Sequence, residues 1–263
     1  MRKLKYLGQN FLIDKGAVKK IIRAAELQNT DTVLEIGPGQ GALTLDLAKK
    51  VKKVIACEKD KRLCQILKEK LKDFKNIEII NEDILKLDLK PEIQNSNFKI
   101  VANLPFSIAN RIIKKFLETD NVPEKMILMV QKEVGKRICA KPPKTNFLAI
   151  SVQFFANPKI VFYVSKNSFL PKPKVDAAVL KIIPYRSYST FPKQFIKNFF
   201  KIVRAGFSQP RKQLANNLSK MLKLKKEKVK EIILNSNIDF KKRPENLEIK
   251  DWIKLTEAME KFI

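Results

Sequence analysis

The 263-residue chain carries 54 Lys or Arg against 27 Asp or Glu and no histidine, a formal charge of +27, and 44% of its residues are apolar. That apolar share supports a packed core, in one large domain or a large one with a small companion, and excludes a disordered polycation. The charge excess calls for an anionic partner, and the missing histidine excludes Ser-His-Asp hydrolysis, histidine-ligated zinc and histidine general-base catalysis.

The N-terminal stretch MRKLKYLGQNFLIDKG is basic but meets Gly8, Gln9 and Asn10 before any long apolar run, so it does not read as a secretory signal. Gly8 and Gly16 flank residues 1–13 as a flexible lid would be flanked. From residue 30 short β-branched runs alternate with amphipathic stretches. A strand is expected over 32–36 (TVLEI), then a glycine-rich turn and a helix to about Lys50, then a strand over 54–58. Asp60 reads as the N-cap of a helix running through Phe74, with Leu63, Ile66, Leu67 and Leu71 on one stripe. Strands follow at 77–81, 98–102 and 126–131, with a helix over 108–117 between the last two. This alternation predicts a doubly wound, mostly parallel sheet with helices on both faces.

After the loop AKPPKTN, residues 147–164 and 177–183 read as further strands, with an antiparallel course open to them, and YRSYSTFP reads as a linker. Helical periodicity then covers 192–206, 210–223, 226–236 and 249–262. The expected division is therefore 1–184, an α/β domain, and 185–263, a small C-terminal helical domain. Cys57, Cys64 and Cys139 form neither a C-x-x-C pair nor an even framework, and read as packing thiols of a protein in reducing cytoplasm. No apolar run approaches the roughly 18 residues a membrane span requires.

Charge is uneven. Residues 134–226 hold 20 Lys or Arg and a single acid, Asp176, whereas the rest of the chain holds 34 basic and 26 acidic residues. A Lys-rich bias with solvated faces explains part of this; the near-loss of acids from one contiguous stretch points to a nucleic-acid surface. A membrane partner is disfavoured because no amphipathic anchor accompanies the charge.

Glu35-Ile36-Gly37-Pro38-Gly39-Gln40-Gly41 lies where a strand opens into a helix. Its spacing is neither the dinucleotide fingerprint nor a P-loop, and alone it could be an ordinary strand-to-helix turn. Glu58, 21 residues after Gly37 and at the end of the next strand, is placed to accept hydrogen bonds from ribose hydroxyls. Asn81-Glu82-Asp83 ends the third strand, where an acid reaches an adenine amine; without Glu58, Asp83 would read as a turn or cap residue. Adenosine recognition without a pyrophosphate clamp points to S-adenosyl-L-methionine rather than NAD, and no metal site is expected.

The fourth strand ends in Asn103-Leu104-Pro105-Phe106. Taken alone, this tetrapeptide could be a turn with a core phenylalanine. In an adenosine-cofactor fold it has a chemical use, because an exocyclic adenine amine is a poor nucleophile whose lone pair is delocalised into the ring. An Asn oxygen and a proline-fixed carbonyl can each accept one N–H and aim the lone pair, while Phe106 stacks on the flipped base. None of this needs a histidine.

The segments GQNFLID, EIGPGQGALT, EKD, NED, NLPF, FLPKPKVDAAV and AGFSQPRKQLANNL occur in order over nearly the whole chain. Together they resemble the bacterial small-subunit rRNA adenine N6,N6-dimethyltransferases, the kasugamycin-sensitivity methylases. The resemblance implies a Rossmann-like class I methyltransferase acting on two adjacent adenines near the 3′ end of 16S rRNA in immature 30S subunits, as a cytoplasmic monomer. It implies that Asn10 and Leu12 close over the methionine part of the cofactor with Gly37 beneath, that Glu58 holds the ribose and Asp83 the adenine, and that Asn103 touches cofactor and target amine. It places Phe169 against the target base opposite Phe106. The basic C-terminal helices are expected on their own account to bind RNA, with Arg204, Arg211 and Lys212 grouped with Phe207 at a helix–turn–helix connection. A solvated cationic helix face is the plainer reading of those three cations. The chain departs from the family in Phe106 and Ser107, where Tyr and Asn are usual; Phe keeps the stacking face and lacks only the hydroxyl. A 23S rRNA methylase of the macrolide-resistance type and a non-catalytic RNA-binding assembly factor remain alternatives; Leu104, the AGFSQPRKQLANNL segment and the intact Asn103, Glu58 and Asp83 weigh against them.

Overall fold

In a computed structural model of the chain, whose described residues are 10–88, 98–119, 121–185 and 191–263, the β-branched runs form the centre of a seven-stranded sheet. The strands in chain order are β1 (Phe11–Leu12), β2 (Thr32–Ile36), β3 (Lys53–Glu58), β4 (Ile77–Asn81), β5 (Phe98–Asn103), β6 (Lys125–Gln131), β7 (Ala156–Val164), β8 (Phe169–Leu170) and β9 (Ala177–Pro184). The large sheet runs β4-β3-β2-β5-β6-β9-β7, parallel from β4 through β6, with β9 antiparallel to β6. β1 and β8 make a separate two-stranded antiparallel pair. Central strands of a parallel sheet have both faces covered, which is why β3, β5 and β6 are near-continuous apolar runs with every described interior residue buried.

Helices α1 (Lys15–Ala24), α2 (Thr44–Ala48), α3 (Lys61–Lys70) and α4 (Ala109–Leu117) precede or connect these strands, and α5 (Lys132–Ile138) follows β6. Asp14 and Asp60 start α1 and α3 by accepting hydrogen bonds from the Ala17 and Arg62 N–H groups. The buried stripe of α3 is Leu63 and Leu67, continued by Leu71 at its C-cap, whereas Ile66, expected on it, is 49% exposed. At about 100° per residue, steps of four keep Leu63, Leu67 and Leu71 together and carry Ile66 to the side. Cys57 and Cys64 are packed inside, and burial pushes the Cys57 thiol up to about 12, so it behaves as an inert hydrophobe.

The chain divides into two compact units: residues to Gly135 with Asn157–Pro184, and Lys136–Ala156 with Tyr185–Ile263. A single boundary after residue 184 is what the sequence leads one to expect; residues 136–156 instead group with the later helices. The second unit holds α6 (Phe147–Gln153), α7 (Lys193–Gly206), α8 (Leu214–Leu222), α9 (Lys226–Asn235) and α10 (Ile249–Met259). Its first helix corrects the strand expected over 147–164, of which only the part from Ala156 is strand. Asn146 caps the Ala149 N–H, and burial of Ala149, Ile150 and Val152 suits a helix despite their β-prone composition. The ring of Phe154 stacks on Phe199 at 4.1 Å and meets Phe191 and Phe200 at 5.7 and 5.6 Å, joining α6 to α7. Gly8, Gln9 and residues 186–190 of the expected linker lie outside the described residues. Among those described, no helix is long and apolar enough to cross a membrane.

Candidate active site

β2 has β3 on one side and β5 on the other, so the sheet's build direction reverses between β2 and β5. A doubly wound sheet opens a ligand crevice at the carboxyl end of such a switch point. That crevice is lined by Asn10, Phe11 and Leu12, by the turn after β2, by Glu58, and by Asn103 through Phe106. Four of the motifs, distant in sequence, therefore share one wall.

The turn after β2 carries glycines at positive φ at positions 37, 39 and 41, and two of them bear directly on the crevice. Gly37 has φ +64 and donates its N–H to the Cys57 carbonyl at 2.9 Å, tying the turn to the end of β3. Gly39 has φ +58, and a Cβ there would lie 3.0 Å from two atoms of the Phe11 ring, so an L side chain meets both backbone strain and a filled space. Glu58, buried at 4% exposure, accepts the Gly39 N–H through one oxygen at 3.2 Å and the Asp60 N–H through the other at 2.9 Å. Each oxygen keeps a second lone pair for a ligand donor.

Asn103 donates through Nδ2 to the Asn10 carbonyl at 3.2 Å, which leaves Oδ1 as its acceptor. The Leu104 N–H donates to the Met129 carbonyl at 3.1 Å, and the Pro105 carbonyl accepts the Ile108 N–H at 3.1 Å, so the tetrapeptide backbone is fastened on both sides. Phe106 is half-buried against the apolar core and lines the crevice.

Other expected residues stand elsewhere. Asp83 is beside the crevice but not among its lining residues: Oδ1 accepts the Leu85 N–H and Oδ2 pairs with Lys59, both at 3.0 Å. The Leu85 N–H, then Lys59, hold its carboxyl below the usual range. Phe169 is 2% exposed, paired with Leu12 across the β1–β8 ladder and packed into the core, while its neighbour Leu170 is 64% exposed. Alternation within β8 turns Phe169 inward and Leu170 outward, so Phe169 does not face Phe106 across an open space. Arg204 is exposed near the end of α7, its guanidinium 6.0 Å from the Phe147 ring centroid, and Arg211 and Lys212 are exposed between α7 and α8. Phe207, expected to stand with them, instead stacks on Trp252 at 5.5 Å.

Phe11 and Glu35 are among the lining residues that the sequence assigns no role of their own. Phe11, inside the quoted GQNFLID segment, covers Gly39. Glu35, which opens EIGPGQG, is 1% exposed, and its Oε2 has no hydrogen-bond partner among the described residues. Burial pushes its carboxyl up to about 8. Among the described residues no group of His, Cys, Asp or Glu is arranged to hold a metal ion.

Known proteins are similar to this chain over nearly its whole length. The family model for ribosomal RNA adenine dimethylase matches residues 1–261. The small-subunit rRNA methyltransferase A of Caldanaerobacter subterraneus subsp. tengcongensis is 43% identical, covering 98% of each chain. The protein of the same description from Dehalococcoides mccartyi is 42% identical over 95% of this chain and 86% of its own. Among solved structures, a dimethyladenosine transferase from Plasmodium falciparum aligns with a TM-score of 0.83 at 27% identity over 96% of this chain and 100% of that one. The 23S rRNA methyltransferase ErmE aligns with a TM-score of 0.77 at 25% identity, over 95% and 100%. A crevice at the switch point, the N-L-P-F tetrapeptide on its wall and a family match over residues 1–261 lead to one assignment: the chain belongs to the ribosomal RNA adenine dimethylases.

Proposed function

We propose that this protein uses S-adenosylmethionine to dimethylate N6 of two adjacent adenines near the 3′ end of 16S rRNA, in the cytoplasm, as a monomer acting on the immature 30S subunit. The observation that carries the reading is the meeting of Glu58 and its glycine turn with Asn103–Phe106 in one crevice. The 42–43% identity to small-subunit methyltransferases favours 16S over 23S RNA as substrate.

The residues present fit the cofactor. The positive-φ turn brings backbone close to a ligand without a Cβ in the way, and Glu58 offers two fixed acceptors to a ribose diol. Asp83 would reach an adenine amine with lone pairs not used by Leu85 and Lys59. Asn10 and Leu12 would border the amino-acid end, with Gly37 beneath. When bound, S-adenosylmethionine supplies an electrophilic methyl group on a sulfonium.

The protein's part is to aim a weak nucleophile. Asn103 Oδ1 accepts one N–H of the target amine, and the carbonyl of Leu104, held by Pro105, accepts the other. The Pro105 carbonyl already accepts from Ile108. Phe106 stacks on the extruded base. These neutral acceptors act by position, not titration, so the chain's lack of histidine costs nothing. Phe169 supports this site from below through Leu12, and Arg204, Arg211 and Lys212 bind phosphates.

Undermethylated 30S particles and protein-free 23S RNA, each incubated with the protein and S-adenosylmethionine, test the reading by mass spectrometry of the RNA. Dimethyladenosine is expected near the 3′ end of 16S rRNA; modification of 23S RNA instead would overturn the substrate. Asn103→Ala is expected to remove most methyl transfer while leaving RNA affinity nearly unchanged.

A further inference from the structure

Asn103 is held at its nitrogen end by a carbonyl that belongs to a strand of only two residues. Asn10 immediately precedes β1, and a two-residue ladder is too short to be stable by itself. What fixes β1 is therefore what fixes Asn103. Besides the burial of Leu12 in the core and the Phe11 ring over Gly39, three contacts toward β8 and its loop do so. Leu12 and Phe11 pair with Phe169 and Leu170 of β8; the Ile13 N–H donates to the Ser168 carbonyl at 2.9 Å; and the Ser168 hydroxyl donates to Asp14 Oδ2 at 2.8 Å.

The last contact joins residues 154 apart and is made to a charge. Asp14 cannot swing away, because its other oxygen caps α1 through the Ala17 N–H at 3.0 Å. Ser168 is anchored as well: its N–H donates to the Ser165 carbonyl at 2.9 Å, and the loop is closed by Asp176, whose Oδ1 accepts the Lys166 N–H at 3.1 Å. Asp176 is in turn tied to the end of β6, accepting the Lys132 N–H through its carbonyl at 2.9 Å. The one acid of the basic stretch thus serves as a loop anchor.

We propose that Ser168, clipped to Asp14, is a positioning residue that sets the orientation of the Asn103 amide by holding the Asn10 carbonyl against it. An Asn amide turned by 180° would present Nδ2, a donor, to the target amine, which also donates. The Asn10 carbonyl forbids this turn, since it requires a donor facing it. With the clip open, β1 loses its register to β8, the Asn10 carbonyl drifts, and the wrong amide orientation becomes populated. The proposal rests on the reading that Asn103 Oδ1 accepts the target amine.

Steady-state kinetics of Ser168→Ala, Ser168→Thr and Asn103→Ala test it, together with calorimetric titration of S-adenosylmethionine. Ser168→Ala is expected to lower kcat about tenfold, the effect of losing one hydrogen bond to a charged group, with the KM for RNA little changed and the loss of cofactor affinity, transmitted through Asn10 and Leu12, smaller than the loss in kcat. Ser168→Thr, which keeps the hydroxyl, is expected to restore most of kcat. A Ser168→Ala enzyme with parental kcat, a rise in KM alone, or equal losses in the Ala and Thr variants would each overturn the role. If Asn103→Ala itself methylates normally, the underlying reading of Asn103 fails; if it is inactive while Ser168→Ala is unaffected, only the clip fails.

Discussion

Glu35 and Glu58 stand on neighbouring strands at the head of the crevice, yet donors reach them unequally. Glu58 accepts two backbone N–H groups, whereas Glu35 has an oxygen without a partner among the described residues. Burial pushes the Glu35 carboxyl from its ordinary 4.5 up to about 8. The unfolded chain then ionises Glu35 as pH passes 4.5 while the folded chain keeps it neutral. Its contribution to stability is full below pH 4.5, is lost as pH rises toward 8, and is level above that. Urea unfolding of Glu35→Gln across this range is expected to show a stability gap from the parent that shifts in the variant's favour between pH 5 and 8. A gap constant with pH would contradict it. Residue-scale legibility follows the range of the determining contact. Glu58 and Asn103 were readable because a strand end and its turn are adjacent in the chain. The inward turn of Phe169, the Lys59 partner of Asp83 and the Ser168–Asp14 clip each depend on a residue brought near only by folding.

Elements were legible where the period was long enough to average over exceptions. Strands β2 to β6 and helices α7 to α10 follow from β-branched runs and the 3.6-residue stripe. The two-residue strands β1 and β8 carry no period at all, and α6, seven residues of FLAISVQ, has the composition of a strand and becomes a helix through its cap and its burial. A helix end also decides how tightly the second unit packs. Gly206 closes α7 against Trp252, which is fully buried; a Cβ at Gly206 would lie 2.5 Å from Trp252 Cη2 and 3.0 Å from Leu214 Cδ1. Intrinsic helix propensity favours Ala over Gly by about 1 kcal/mol, and forcing a methyl into a close-packed site costs up to about 3 kcal/mol. The packing effect wins, so Gly206→Ala is expected to lose roughly 2 kcal/mol in urea unfolding. A variant as stable as the parent would show that Trp252 has room to retreat.

For the whole molecule the deciding quantity is charge. The formal +27 contains no histidine, so between pH 6 and 8 the exposed charge stays nearly constant and RNA attraction changes little with pH. Salt is the variable that matters, because each neutralised phosphate releases counterions and contributes a slope of about −0.7 in log affinity against log salt for single strands. Arg204, Arg211 and Lys212 lie in the stretch where 20 basic residues face one acid, and that one acid is already engaged by Lys132 and Lys166. No carboxylate ion pair is found for the three among the described residues, so phosphate contact displaces none. Replacing all three by Ala is expected to flatten the salt slope by about 2 and to weaken RNA binding at low salt. Cofactor affinity, set by the crevice of the first unit, should not move. An unchanged slope would mean that these cations are solvated and that the RNA is held by other parts of the basic stretch; a parallel loss of cofactor binding would mean that the substitutions reach the methyl-transfer site itself.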